Sequence, residues 1–272
     1  MRVREAIAAA ARRLEAHSGT ARLDAELLMA EVFGTSREDM LLRRLDEAEP
    51  ARFEPLIARR AAGEPVAYIT GRRGFWTIEV EVGPGALVPR PETETLIEAA
   101  LAHFADRPPP RILDLGTGPG TLLLAALAEW PPATGLGIDA SEEALGYARR
   151  NAARVGVAER AELRLGDWLE GVGETFDLIL CNPPYVESGA ELPRDVAEWE
   201  PHGALFADAD GLSEYRRLAP VIRPRLRPGG LACFEIGAGQ EAAVRALFEA
   251  EGFAVGSRRD LAGIVRCIAV TA

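Results

Sequence analysis

The sequence predicts an α/β protein in which a doubly wound, largely parallel sheet follows a small helical bundle and a linking β-hairpin. Three observations predict it. From about Pro91 onward, short apolar runs alternate with helical patterns, the order that a sheet covered on both faces requires. Runs such as Phe176-Asp177-Leu178-Ile179-Leu180-Cys181 are almost continuously hydrophobic, as strands of a buried parallel sheet are. Before about Gly63, apolar residues recur at helical spacing instead.

The helical region breaks at Ser18-Gly19-Thr20, Gly34-Thr35-Ser36 and Glu49-Pro50. It carries no catalytic constellation and reads as an accessory or recognition part, residues 1–71. Gly74 to Val82 alternates at period two and then meets Gly83-Pro84-Gly85, which predicts a hairpin with its turn at those glycines, within a linker of residues 72–90. Pro108-Pro109-Pro110 is a rigid spacer before the first strand of the sheet, Arg111 to Leu115. Further strands are expected at Gly135–Asp139, Ala161–Leu165, Phe176–Cys181, Gly230–Ile236 and Ile264–Val270, completing a domain of residues 91–272.

Composition sets limits. A chain of 272 residues, 48% hydrophobic, holds one full α/β domain and a small second one. No apolar stretch approaches the roughly 18 residues of a membrane span, and the arginine-interrupted N-terminus does not read as a signal peptide. Cys181, Cys233 and Cys267 lie in apolar strands at spacings that fit no metal site, so buried reduced thiols in a cytoplasmic protein are expected, with no metal. The net charge of −11 leans against a nucleic-acid partner, which calls for a basic face. Arg43-Arg44, Arg59-Arg60 and Arg72-Arg73 read as solvated faces.

Chemistry gathers where the predicted strands end. Leu115 runs into Gly116-Thr117-Gly118-Pro119-Gly120 and then a helix, so glycines allow close backbone approach and a helix N-terminus offers unpaired N–H donors. The sixth place of a dinucleotide fingerprint is Thr121, not glycine, which argues against a pyrophosphate site. Asp139 ends the next strand as either a ribose acceptor or a helix cap; Ser141 is the better cap and leaves Asp139 for a ligand. Asp167-Trp168 follows the third strand, an acceptor for an exocyclic amine beside a ring cover. The fourth ends in Asn182-Pro183-Pro184-Tyr185, where a side-chain amide, a proline carbonyl with no N–H of its own and an aromatic face suit a planar substrate carrying an NH2 group.

These landmarks, in this order, resemble the class I S-adenosylmethionine-dependent methyltransferases. Asn182-Pro183-Pro184-Tyr185 is similar to the version that methylates planar nitrogens. Gly63 to Gly71, Val88 to Glu94 and the helical Asp24 to Ala30 are similar to signatures of the protein-glutamine methyltransferases that modify peptide-chain release factors, the PrmC/HemK family. The resemblance spans nearly the whole chain. It implies a Rossmann-like seven-stranded sheet with an antiparallel last strand, and S-adenosylmethionine as donor with S-adenosylhomocysteine as product. Gly116, Thr117, Gly118, Pro119 and Gly120 would wrap the methionine and ribose end of the donor, Asp139 the ribose hydroxyls, and Asp167 and Trp168 the adenine. Asn182, Pro183 and Tyr185 would orient the target amide, with Asn182 also touching the donor, Pro184 beside them, and Arg90, Thr93 and Glu94 bordering the substrate; Glu92 and Glu94 can equally be first-turn acids of a helix. The implied partner is a class 1 release factor, methylated on its Gly-Gly-Gln glutamine by a cytoplasmic monomer without direct nucleic-acid contact. A ribosomal-protein glutamine methyltransferase and, more distantly, an adenine-N6 DNA methyltransferase are the alternatives.

Overall fold

The computed structural model describes all 272 residues. It begins with five helices, α1 (Val3–Leu14), α2 (Ala21–Phe33), α3 (Arg37–Arg43), α4 (Phe53–Ala61) and α5 (Val66–Thr70), followed by a two-stranded sheet of β1 (Arg72–Phe75) and β2 (Ile78–Glu81). Then come α6 (Glu94–His103), β3 (Arg111–Leu115), α7 (Thr121–Glu129), β4 (Thr134–Asp139), α8 (Glu142–Val155), β5 (Ala161–Leu165) and β6 (Phe176–Cys181). The chain closes with α9 (Arg194–Ala197), α10 (His202–Leu205), α11 (Ser213–Ile222), β7 (Leu226–Glu235), α12 (Glu241–Ala250), β8 (Ala254–Arg259) and β9 (Val265–Thr271).

Two compact units result: Met1–Arg72 with Glu191–Glu200, and Arg73–Ala190 with Pro201–Ala272. In the first, Gly34 ends α2 at φ 63°, a conformation glycine adopts without a Cβ clash, and the Ser36 hydroxyl starts α3 by accepting the Asp39 N–H at 3.1 Å. Met29, Met40, Phe53 and Ile57 fill its core. Here one expectation is corrected. Arg60 is not a solvated face: it is 4% exposed, paired with Asp24 (2.7 Å) and with Asp195 of the returning segment (3.0 Å), because a buried guanidinium needs carboxylate partners.

The second unit is the doubly wound sheet. Its strand order is β5-β4-β3-β6-β7-β9-β8, with parallel pairing from β5 to β7 and β9 antiparallel to both neighbours. The seven strands and the antiparallel last strand are as the resemblance implied. β8 was missing from the sequence reading, because Ala254-Val255-Gly256-Ser257-Arg258-Arg259 is a mostly exposed edge strand without an apolar pattern. One face of the sheet is covered by α6, α7 and α8 through Leu96, Leu123, Leu127 and Ala152; the other by α11 and α12 through Tyr215, Leu218, Ile222 and Phe248. The hairpin turn also differs from expectation. It lies at Trp76-Thr77, not at Gly83-Pro84-Gly85. Trp76 holds φ 53° there because its N–H reaches Glu94 (2.8 Å) and its indole N–H reaches Glu129 (3.0 Å).

The chain travels outward from β3 to β4 and β5, then returns to start β6 on the opposite side of β3. The carboxyl ends of β3 and β6 therefore flank the point where strand order reverses, the place where open α/β sheets bind ligands.

Candidate active site

A cavity of about 440 Å³ opens at this reversal, within the sheet unit. It is lined by Gly116, Thr117, Gly118 and Pro119 after β3, Asp139, Ala140 and Ser141 after β4, Gly166, Asp167 and Trp168 after β5, and Asn182 and Pro184 after β6. Residues from four strand ends predicted separately are thus brought to one space.

The glycine loop is shaped by backbone geometry and held from below. Gly116, Gly118 and Gly120 take φ of 68°, 56° and 88°, a region that side chains strain. A Cβ on Gly120 would also stand 2.8 Å from Leu124 Cδ1. Asp114, in β3, accepts the Thr117 hydroxyl (2.7 Å) and the Leu123 N–H (3.1 Å) on one oxygen, tying both ends of the loop. Asn151 of α8 donates to the Pro119 carbonyl at 2.9 Å and to Glu81 O at 3.0 Å, while its own oxygen takes the Glu81 N–H at 2.6 Å. The hairpin is thereby stitched to the loop.

Asp114 is 1% exposed, yet its Oδ1 has no hydrogen-bond partner and the residue borders the cavity. Burial raises its pKa to about 7, against the pull of the Thr117 and Leu123 donors. Asp139 accepts the Gly118 N–H (2.7 Å) and the Ser141 N–H (2.8 Å), and burial pushes its pKa upward too. Ser141 caps α8 through the Ala144 N–H (3.1 Å), as the sequence indicated. Trp168 sits at φ 48° with its ring against Gly116, and its indole N–H donates to Glu214 at 2.7 Å. Asp167 pairs with Arg217 at 2.7 Å. Glu214 and Arg217, on α11, line the cavity and were not singled out from sequence; nothing in the amphipathic pattern of that helix distinguishes them from surface charges.

At the β6 end, Asn182 Nδ2 makes a long 3.4 Å contact to the Thr93 hydroxyl, which leaves Oδ1 without a protein donor. Arg90 and Thr93 join the lining. Three residues expected at the substrate do not. Glu94 turns its carboxylate to the Trp76 N–H, which the hairpin turn needs. Pro183 is buried, and Tyr185 donates its hydroxyl to Glu235 at 3.0 Å, so the ring is held in the second core rather than lining the cavity. Glu235, 1% exposed, was missed entirely. Its only sequence signal is an acid at the end of the apolar run Leu231 to Phe234.

Residues 5–71 match the family described as PrmC N-terminal domain, and residues 93–199 match the methyltransferase small domain. A release factor glutamine methyltransferase of Caulobacter vibrioides is 45% identical over 85% of this chain and 82% of its own. The chain belongs to the release factor glutamine methyltransferase family. A member from Cereibacter sphaeroides is 46% identical over 93% of this chain and 92% of its own. A methyltransferase structure from Pyrococcus furiosus shares the fold at 20% identity, with a TM-score of 0.52 over 78% of this chain and 95% of that one.

Membership brings S-adenosylmethionine as methyl donor, and the lining fits it on observations of this structure. The loop presents side-chain-free backbone at Gly116 and Gly118, Asp114 borders the cavity with a buried oxygen that has no partner, and Trp168 lines another wall. No group of histidine, cysteine and acidic side chains in the structure is arranged to hold a metal ion.

Proposed function

We infer that this protein transfers a methyl group from S-adenosylmethionine to the side-chain amide nitrogen of a glutamine, the one in the Gly-Gly-Gln motif of class 1 release factors. The observation that carries the inference is Asn182: its amide stands at the cavity edge, with its NH2 end turned to Thr93 and its oxygen unclaimed. An amide nitrogen is a poor nucleophile because its lone pair is delocalised into the carbonyl. Asn182 Oδ1, accepting a substrate N–H, would turn that lone pair toward the donor. This acceptor strengthens as positive charge develops on nitrogen, so it favours the transition state over the ground state. The donor supplies an electrophilic methyl carbon on a sulfonium. Fixing the two reactants in line contributes several kcal/mol on its own. No strong base is required, since the alkylated nitrogen is acidic enough to lose its proton to water.

The loop from Gly116 to Gly120 with Asp139 would hold the methionine and ribose end of the donor, and Asp167 with Trp168 the adenine. Arg90 and Thr93 would border the substrate. The helical unit would hold the body of the release factor; residues 5–71 have a family match of their own. The protein would work as a cytoplasmic monomer without touching nucleic acid.

The test supplies radiolabelled donor to purified release factor, the same factor with its Gly-Gly-Gln glutamine replaced, ribosomal proteins and DNA. Label in the intact factor alone is the expected result. Equal labelling of the replaced factor, or label in a ribosomal protein instead, would overturn the assignment.

A further inference from the structure

The two residues assigned to the adenine are both gripped by a single helix. Arg217 of α11 donates through Nη2 to Asp167 Oδ2 at 2.7 Å and through Nη1 to Glu214 Oε2 at 3.0 Å. The same Glu214 oxygen accepts the Trp168 indole N–H at 2.7 Å, and Oε1 accepts the Ser213 hydroxyl at 3.2 Å. Asp167 and Trp168 are neighbours in the chain after β5, and Glu214 and Arg217 stand one turn apart in α11, so the four residues close a ring. All four line the cavity.

This ring is more than a surface ion pair. Asp167 and Arg217 are each about half exposed, and pairs so exposed add little to stability. Glu214 is only 17% exposed, and both its oxygens are already taken, so it holds its neighbours rather than a ligand. Trp168 stands at φ 48°, a backbone conformation that costs a residue with a Cβ and persists where its surroundings impose it. Asp167 gives Oδ2 to the ring and leaves Oδ1 for a ligand.

We propose that Arg217 and Glu214 are positioning residues that make the site select a donor whose purine carries an exocyclic amine, by holding the Asp167 carboxylate at that amine and the Trp168 indole at the ring. The proposal rests on the reading above in which Asp167 and Trp168 hold the adenine. Adenine offers an NH2 donor on its six-membered ring and an acceptor at the ring nitrogen beside it. Hypoxanthine reverses the pair, with a carbonyl acceptor and a neighbouring ring N–H. A carboxylate only accepts. Free to swing, it satisfies either base, by the amine of one or the ring N–H of the other. Held by Arg217, it meets the amine and faces the hypoxanthine carbonyl as acceptor against acceptor. Glu214 acts twice on this choice: it is the second anchor of Arg217, and it fixes the indole against which the base would otherwise slide.

The experiment measures dissociation constants by calorimetry for S-adenosylhomocysteine and for S-inosylhomocysteine, its deaminated analogue, on the full chain. It compares the wild type, Arg217→Met, Glu214→Leu, Glu214→Gln and Asp167→Asn, each checked by denaturant unfolding. The wild type should prefer the adenine form by about 10- to 100-fold, the scale of leaving one polar group unpaired. Arg217→Met should narrow that preference by about three- to tenfold, chiefly through tighter binding of the inosine form. Glu214→Leu should narrow it at least as far, and Glu214→Gln, which keeps an acceptor for the indole, should narrow it less. Arg217→Met or Glu214→Leu with the wild-type ratio overturns the proposal. So does an equal loss of both ligands, because a residue that only supports the fold moves the two constants together. If Glu214→Leu does not fold, Arg217→Met, at a half-exposed side chain, decides by the same criterion. Asp167→Asn presents a donor as well as an acceptor and should erase the preference. A wild type without the preference, or an Asp167→Asn protein that keeps it, would instead refute the underlying role of Asp167.

Discussion

Asp114 and Glu235 are both 1% exposed, both keep one oxygen without a partner, and both are carried to about 7 by burial, yet they are held in different ways. Asp114 is satisfied by its own loop, through Thr117 and Leu123, three and nine residues away. Glu235 is satisfied by Tyr185, fifty residues away on another strand end. The donor end of the cavity is thus one continuous piece of chain that shapes itself. The acceptor corner is assembled from separate elements and depends on the sheet being complete. A self-contained loop suits a donor that never changes; a corner built from distant pieces allows the target site to be set independently.

The comparison predicts separable phenotypes, the largest at the loop. Asp114→Ala leaves the Thr117 hydroxyl and the Leu123 N–H without their acceptor, at roughly 1–3 kcal/mol each. Donor affinity should fall by about one to three orders of magnitude, measured by calorimetry. Unchanged affinity would break the picture of a loop fixed from below. Tyr185→Phe acts on the other corner and should be milder, lowering kcat a few-fold with donor affinity intact.

The smallest effect is on stability. The unfolded-state values of the two carboxyls are 3.8 and 4.5, and both stand near 7 in the native state. The native state therefore binds protons more tightly, and this contribution to stability is lost as pH rises from about 4 to about 7, then stays level. Glu235→Gln removes that dependence for one group. Its stability relative to the wild type should improve across the interval by at most about 3 kcal/mol, read from denaturant unfolding at each pH. A parallel pair of curves would mean that Glu235 does not titrate there.

The same contrast explains what the sequence made legible. The glycine loop, Asp139, Asp167-Trp168 and Asn182-Pro183-Pro184 are local signals at strand ends, and parallel strands carry such ends to one edge. Val88, Pro89, Arg90 and Thr93 of the lining before β3 were reached through resemblance, and Leu87 was not. What stayed hidden depends on pairing across the fold. The Asn182 and Glu235 juxtaposition needs the β6–β7 register, and the removal of Tyr185 from the cavity follows from Glu235. The turn at Trp76 needs Glu94 and Glu129, and the burial of Arg60 needs Asp195, 135 residues further along. A polar edge strand such as β8 has no apolar rhythm to read.

Whether the amide beyond β6 steers the reacting nitrogen is tested most directly by Asn182→Ala, with single-turnover methylation of release factor and donor affinity measured on the same preparation. Turnover should fall by about 10²- to 10³-fold, the scale of losing one preorganised polar contact to a developing charge, while the donor dissociation constant stays within about threefold. Turnover within about threefold of the wild type would contradict the account.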